Sequence, residues 1–91
     1  MYALAVNVQI DQGKEDEAIK ELHENVVPRV KQAPGLVAAY WMDPQNGYGY
    51  ALLIFESEEA ANGAKQMAES SPQPEFVKMN PPQVMEVIAS A

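Results

Sequence analysis

The sequence predicts one α+β domain, residues 1–91, in which a four-stranded antiparallel sheet carries two helices on one face. Three observations predict it: a strictly alternating opening segment, two stretches with helical spacing, and an aromatic hairpin between them. Tyr2 to Ile10 puts Tyr2, Leu4, Val6, Val8 and Ile10 on one side and Ala3, Ala5, Asn7 and Gln9 on the other, which makes it a strand. After Asp11-Gln12-Gly13, apolar Ile19, Leu22, Val26 and Val30 recur in steps of three and four, with acids early and Arg29 and Lys31 late, the order a helix dipole favours. Pro28 lacks the donor that would meet the Glu24 carbonyl, so a bend or a weakened last turn is expected before Ala33-Pro34-Gly35.

Leu36 to Asp43 and Tyr48 to Glu56 read as the two strands of a hairpin across Pro44-Gln45-Asn46-Gly47. A two-residue Asn46-Gly47 turn sets Trp41 opposite Leu52, and a four-residue loop sets it opposite Tyr50. Either register places Trp41 on the face of Tyr48, Tyr50, Leu52 and Ile54. Ser57 is a fitting N-cap for a second helix, short and rich in small residues, with Ala60, Ala64, Met67 and Ala68 along its stripe. Glu75 to Pro82 is expected to be irregular, and Gln83 to Ser90 to be the last strand. The order strand, helix, strand, strand, helix, strand is the ferredoxin-like one.

Composition narrows the functional classes. Six Lys and Arg against 13 Asp and Glu give a formal charge of -7, which repels nucleic acid and anionic lipid surfaces. There is no cysteine and one histidine, His23, so disulfides, thiolate zinc and multi-histidine metal sites are excluded. No apolar run reaches the roughly 20 residues of a membrane span, and the first ten residues lack a signal-type pattern, so a cytoplasmic location is expected. Phosphate loops, dinucleotide fingerprints and GxSxG elbows are missing.

The strands are apolar on both faces, where a lone sheet covered by helices on one side would show a polar outer face. The economical resolution is a homodimer in which two sheets pack face to face, since contiguous apolar patches on monomers are seldom so extensive.

From Tyr2 to Ile88 the chain resembles the dimeric α/β-barrel superfamily, and within it the antibiotic-biosynthesis-monooxygenase-like proteins. The resemblance is carried by the Asn7 strand, Pro34-Gly35-Leu36-Val37, the hairpin and Phe55-Glu56-Ser57-Glu58-Glu59-Ala60. It implies a pocket between helices and sheet in each subunit, with an asparagine of the first strand, here Asn7, pointing into it. It also implies a small-molecule-binding dimer, with cofactor-independent monooxygenation of small aromatic or quinol-type metabolites as the leading activity. A non-catalytic ligand-binding or accessory dimer is the alternative. In the haem-degrading branch a tryptophan and a histidine fall near Ala64 and Gln73; their absence disfavours haem degradation and leaves His23 as the only substitute ligand, so no cofactor is expected.

Asn7 is either an orienting group for a phenolate or carbonyl oxygen or a structural amide bonded within the protein. His23 sits at the edge of the apolar helix stripe and is either a base working near neutrality or a surface residue. Convergence of Asn7 and His23 on one pocket is the geometric test of the enzymatic reading. Tyr40, Leu22 and Met67 are the candidate substrate-lining residues. Trp41, Tyr48 and Tyr50 are read first as packing at the dimer interface and otherwise as a stacking surface for a planar substrate, Glu17, Glu21 and Glu24 as a solvated face, and Glu86 as an edge residue or dimer contact.

Overall fold

The computed structural model describes all 91 residues. Strand β1 spans Tyr2–Ile10, helix α1 Glu15–Glu21, a π-helical turn Leu22–Val26, α2 Val27–Val30, β2 Leu36–Trp41, β3 Tyr48–Phe55, α3 Glu58–Ser70, β4 Val77–Met79 and β5 Gln83–Glu86. The sheet is antiparallel in the order β2, β3, β1, with β4 and β5 sharing the far edge of β1, and it is the ferredoxin-like α+β arrangement.

The first helix is continuous but not uniform. Pro28 has no N–H to offer the Glu24 carbonyl, and the turn before it widens until the Val27 N–H reaches the carbonyl of Leu22, five residues back. The expected bend is thus a π turn placed one turn earlier than the proline. Helix α3 is regular, and the Ser57 hydroxyl caps it by accepting from the Ala60 N–H at 3.1 Å.

The hairpin adopts neither register expected of it. Asn46 and Gly47, at φ 54° and 81°, form the two-residue turn, and Gln45 bridges Tyr48 behind it. Further along, however, Trp41 pairs with Ala51, and the Met42 N–H bonds the Tyr50 carbonyl at 3.0 Å. One extra residue is absorbed at Met42-Asp43-Pro44, where Pro44 has no N–H for the ladder. A one-residue slip flips a strand's faces, so Trp41 turns away from Tyr48 and Tyr50 and toward the helices.

The far edge carries a second slip. Val6 and Asn7 of β1 stand opposite Asn80, Pro81 and Pro82, between the Val8–Met79 and Ala5–Gln83 pairs. This bulge joins β4, formed within the segment expected to be irregular, to β5, and turns Val84 toward the core. The last strand stops at Glu86 rather than Ser90, because β1 begins at Tyr2 and only one further bond, Val87 N–H to Met1 carbonyl, is available.

The core is small: Leu4, Leu53, Phe55 and Ala61, with Phe55 and Ala61 fully enclosed. The chain exposes 6156 Å², whereas a folded monomer of its mass exposes about 5,200 Å². Much of the apolar exposure lies on the sheet face turned away from the helices, where Tyr40, Tyr48, Tyr50, Leu52 and Met85 are all exposed.

Candidate functional site: an apolar cavity under the first helix

The helix-facing side of the sheet is formed by Leu4, Val6, Val8 and Ile10 of β1, Gly49, Ala51 and Leu53 of β3, and Trp41 at the end of β2. Helix α3 lies directly on it through Ala60, Ala61 and Ala64. The first helix stands off, and between it and the sheet opens a cavity of about 540 Å³. Of its 31 lining residues 21 are hydrophobic, including Ile19, Leu22, Val26 and Val30, the stripe whose periodicity marked the helix. Gly49 lets the sheet floor pass close to its neighbours: a side-chain carbon there would come within 3.1 Å of Val8 Cγ2.

Of the residues singled out from sequence, Leu22, His23 and Met67 line this cavity, and so do Glu21, Trp41 and, at its edge, Tyr50. Asn7 does not. It lies between Val6 and Val8, which face the cavity, and so points to the open face, opposite Tyr50. There it is bonded within the protein: the Asn80 side-chain amide donates to Asn7 Oδ1, and the Asn80 N–H donates to the Asn7 carbonyl at 3.0 Å. The pair holds the chain across the bulge that Pro81 and Pro82 create, a place where the ladder has no other donor to give. Asn7 and His23 therefore do not converge, and the pocket position expected of Asn7 is corrected. Tyr40 also belongs to the open face, 61% exposed and paired with Leu52, because the hairpin slip gives the cavity side to Trp41.

The polar groups of the wall are few: Glu21, His23, Arg29, Asp43, Ser71 and Gln73. Glu21 accepts from the Asn25 amide at 2.8 Å, and Asp43 from Gln45 at 3.4 Å. His23 and Arg29 have no side-chain partner in the protein. Ala64 and Gln73 both line the cavity, and neither side chain is an iron ligand. With His23 the only imidazole, and on the helix rather than at position 73, the residues do not fit a haem held as the resemblance implies. No cluster of His, Asp and Glu is arranged to hold a metal ion, and no helix is long and apolar enough to cross a membrane.

Sequence reasoning passed over Met79 and Arg29 as cavity residues and ranked stacking on a planar substrate by Trp41 below packing at the dimer interface. The parity of Trp41 and Met79 depends on slips at prolines that alternation does not reveal, and Arg29 had a sufficient explanation as a helix-terminal cation.

No family model and no curated protein sequence matches the chain. Solved structures do. A complex of an MhuD variant with two manganese protoporphyrin IX molecules per active site superposes with a TM-score of 0.74 at 19% identity, covering 100% of this chain and 98% of the other. The haem degrader MhuD of Mycobacterium tuberculosis, with two haems in its active site, gives 0.70 at 19% identity over 98% of each chain. A Nitrosomonas europaea protein of unknown function, NE2512, gives 0.63 at 19% identity, covering 99% of this chain and 91% of that one. The chain thus has the ferredoxin-like α+β fold of MhuD, and what it shares with these proteins is architecture.

Proposed function

We propose that this protein is a homodimer, paired through its open sheet faces, in which each subunit binds a small, planar, largely apolar aromatic or quinol-type metabolite beneath its first helix. The observation that carries the reading is the apolar cavity of about 540 Å³, within the range of small-molecule sites and floored by rigid sheet. Support for pairing comes from the exposed Tyr40, Tyr48, Tyr50, Leu52 and Met85 on one face. The surface excess of about 900 Å² over a monomer of this mass is also comparable with one partner's share of a standard interface. The fold neighbour MhuD, which holds two haems in its active site, supports the cavity as a ligand site.

A second reading, cofactor-independent monooxygenation, loses the support that convergence of Asn7 and His23 would have given it and rests on one observation: His23, although exposed, lines the cavity with its imidazole unengaged. In that reaction the deprotonated substrate supplies electrons to oxygen, and the protein orients it, excludes water and accepts its proton. His23 is the residue proposed to accept it, and Asn7 has no part.

Titration with hydroquinones and anthrone-like phenols, followed through the single Trp41 indole, tests binding; an unperturbed indole across the panel overturns the site. Oxygen uptake compared between the native chain and His23→Ala separates the readings. Uptake that falls in the variant supports catalysis, and binding without uptake leaves the non-catalytic ligand-binding dimer. Sedimentation at micromolar concentration is expected to give twice the chain mass, and a single-chain particle overturns the pairing.

A further inference from the structure

We propose that the ligand of this cavity carries a carboxylate, and that Arg29 is the residue that selects it. The inference rests on the cavity being the binding site and adds the chemical class of what enters. Arg29 is the only Lys or Arg in the wall. Of the chain's six such residues Lys14 and Lys20 are ion-paired with Glu17 and Glu24; Arg29, like Lys31, Lys65 and Lys78, has neither an ion pair nor a side-chain hydrogen bond, and of these four only Arg29, exposed at the mouth, lines the cavity. The wall's two carboxylates, Glu21 and Asp43, each accept from a neighbouring amide, of Asn25 and Gln45, and neither forms an ion pair with Arg29. Glu21 is also eight residues before Arg29, about 12 Å along the helix axis. One end of the helical wall thus presents a planar fork of free donors, the geometry that meets a carboxylate through two parallel hydrogen bonds.

The rest of the lining defines the body of the molecule. Trp41, Met67 and Met79 offer an indole face and two polarisable thioethers to a flat aromatic ring. A phosphate or a dianion is a poor match. Arg29 has no second cation beside it in the wall, and the formal charge of -7 disfavours a multiply charged anion more than a singly charged one. A monoanionic aromatic acid satisfies both halves of the site. The ordinary role of an arginine in a last helical turn, opposing the helix dipole, needs no ligand and is what the experiment separates.

The probes are 2-naphthoate and its neutral counterpart 2-naphthamide, titrated into the full chain with the Trp41 indole N–H followed by NMR. The native protein is expected to bind the naphthoate about tenfold more tightly, as suits a charge-assisted bond at a partly solvated site. Arg29→Gln is expected to abolish the preference and leave naphthamide binding unchanged, and Arg29→Lys to restore only part of it. Equal affinities in the native protein, or a preference that survives Arg29→Gln, overturn the role of Arg29 while the cavity stands as a ligand site. Loss of both probes in Arg29→Gln overturns it too, assigning Arg29 to the structure of the wall. Neither probe moving the indole of the native protein overturns this inference and the cavity reading together.

Discussion

The two helices lie on the same face of the same sheet and do opposite things there. Helix α3 is capped and regular and meets the sheet through alanines, close enough that Gly35, at φ 75°, has no room for a side chain: a Cβ there would sit 2.8 Å from that of Ala60. The first helix has larger apolar side chains and a π turn in its middle; it meets the core through Val30 at its end and otherwise roofs a cavity. The difference teaches that large apolar residues at helical spacing do not by themselves fill a core. Small residues bring a helix down onto a sheet, and bulky ones that do not reach it leave space that a ligand can use.

The largest effect that would test this contrast is a paired truncation. Phe55 is fully enclosed against α3, and Phe55→Ala is expected to cost about 3–5 kcal/mol, much of the stability of a small domain. Leu22 lines the cavity and is only partly buried, so Leu22→Ala is expected to cost under about 1.5 kcal/mol, because no close-packed neighbours lose contact. Urea denaturation of both variants reads the comparison. A Leu22→Ala cost equal to that of Phe55→Ala would mean that the first helix collapses onto the sheet in solution, and the cavity with it.

A smaller effect sharpens the same contrast at the foot of α3. Gly35→Ala combines a left-handed backbone with a clash against Ala60, and is expected to destabilise by about 2–4 kcal/mol. Gly13→Ala serves as the control: φ there is also positive, at 82°, but nothing lies within 4 Å of an added carbon, so only the backbone part of the cost, about 1–2 kcal/mol, is expected. Equal losses in the two variants would show that α3 does not pack as tightly as the geometry says.

What could be read from the sequence follows the same division. The alternation of Tyr2 to Ile10, the Ser57 cap and the apolar stripes are local patterns, and each became the element it announced. Facing is not local. Trp41, Tyr40 and Val84 lie where they do because single extra residues at Pro44 and at Pro81-Pro82 shift the ladder, and alternation within one strand carries no trace of a slip beside it. Asn7 lay midway along the best-defined strand, and its partner Asn80 is 73 residues away in a segment without periodicity. The cavity was legible only as a stripe of helix residues, since nothing in the 3.6-residue repeat distinguishes a stripe that packs from one that does not, and the π turn at Leu22–Val26 leaves no mark on it.

The smallest predicted effect is electrostatic and again belongs to α3. Tyr2 sits near Glu86 of β5 and Glu58 at the start of α3, and those negative charges, Glu86 first, Glu58 next and slight desolvation last, raise its phenol above the usual 10.0. A proton held more tightly in the folded chain stabilises it fully below pH 10, and that contribution disappears as the pH climbs through the raised value. Glu86→Gln removes the larger influence, so the Tyr2 titration followed by ring-carbon NMR is expected to move down toward 10.0, with Glu58 holding it slightly above. Glu58→Gln is expected to give a smaller downward movement. If Glu58→Gln leaves Tyr2 unmoved, the first turn of α3 does not rest beside β1 in solution, and the close seating inferred from Gly35 and Ala60 fails in that same turn.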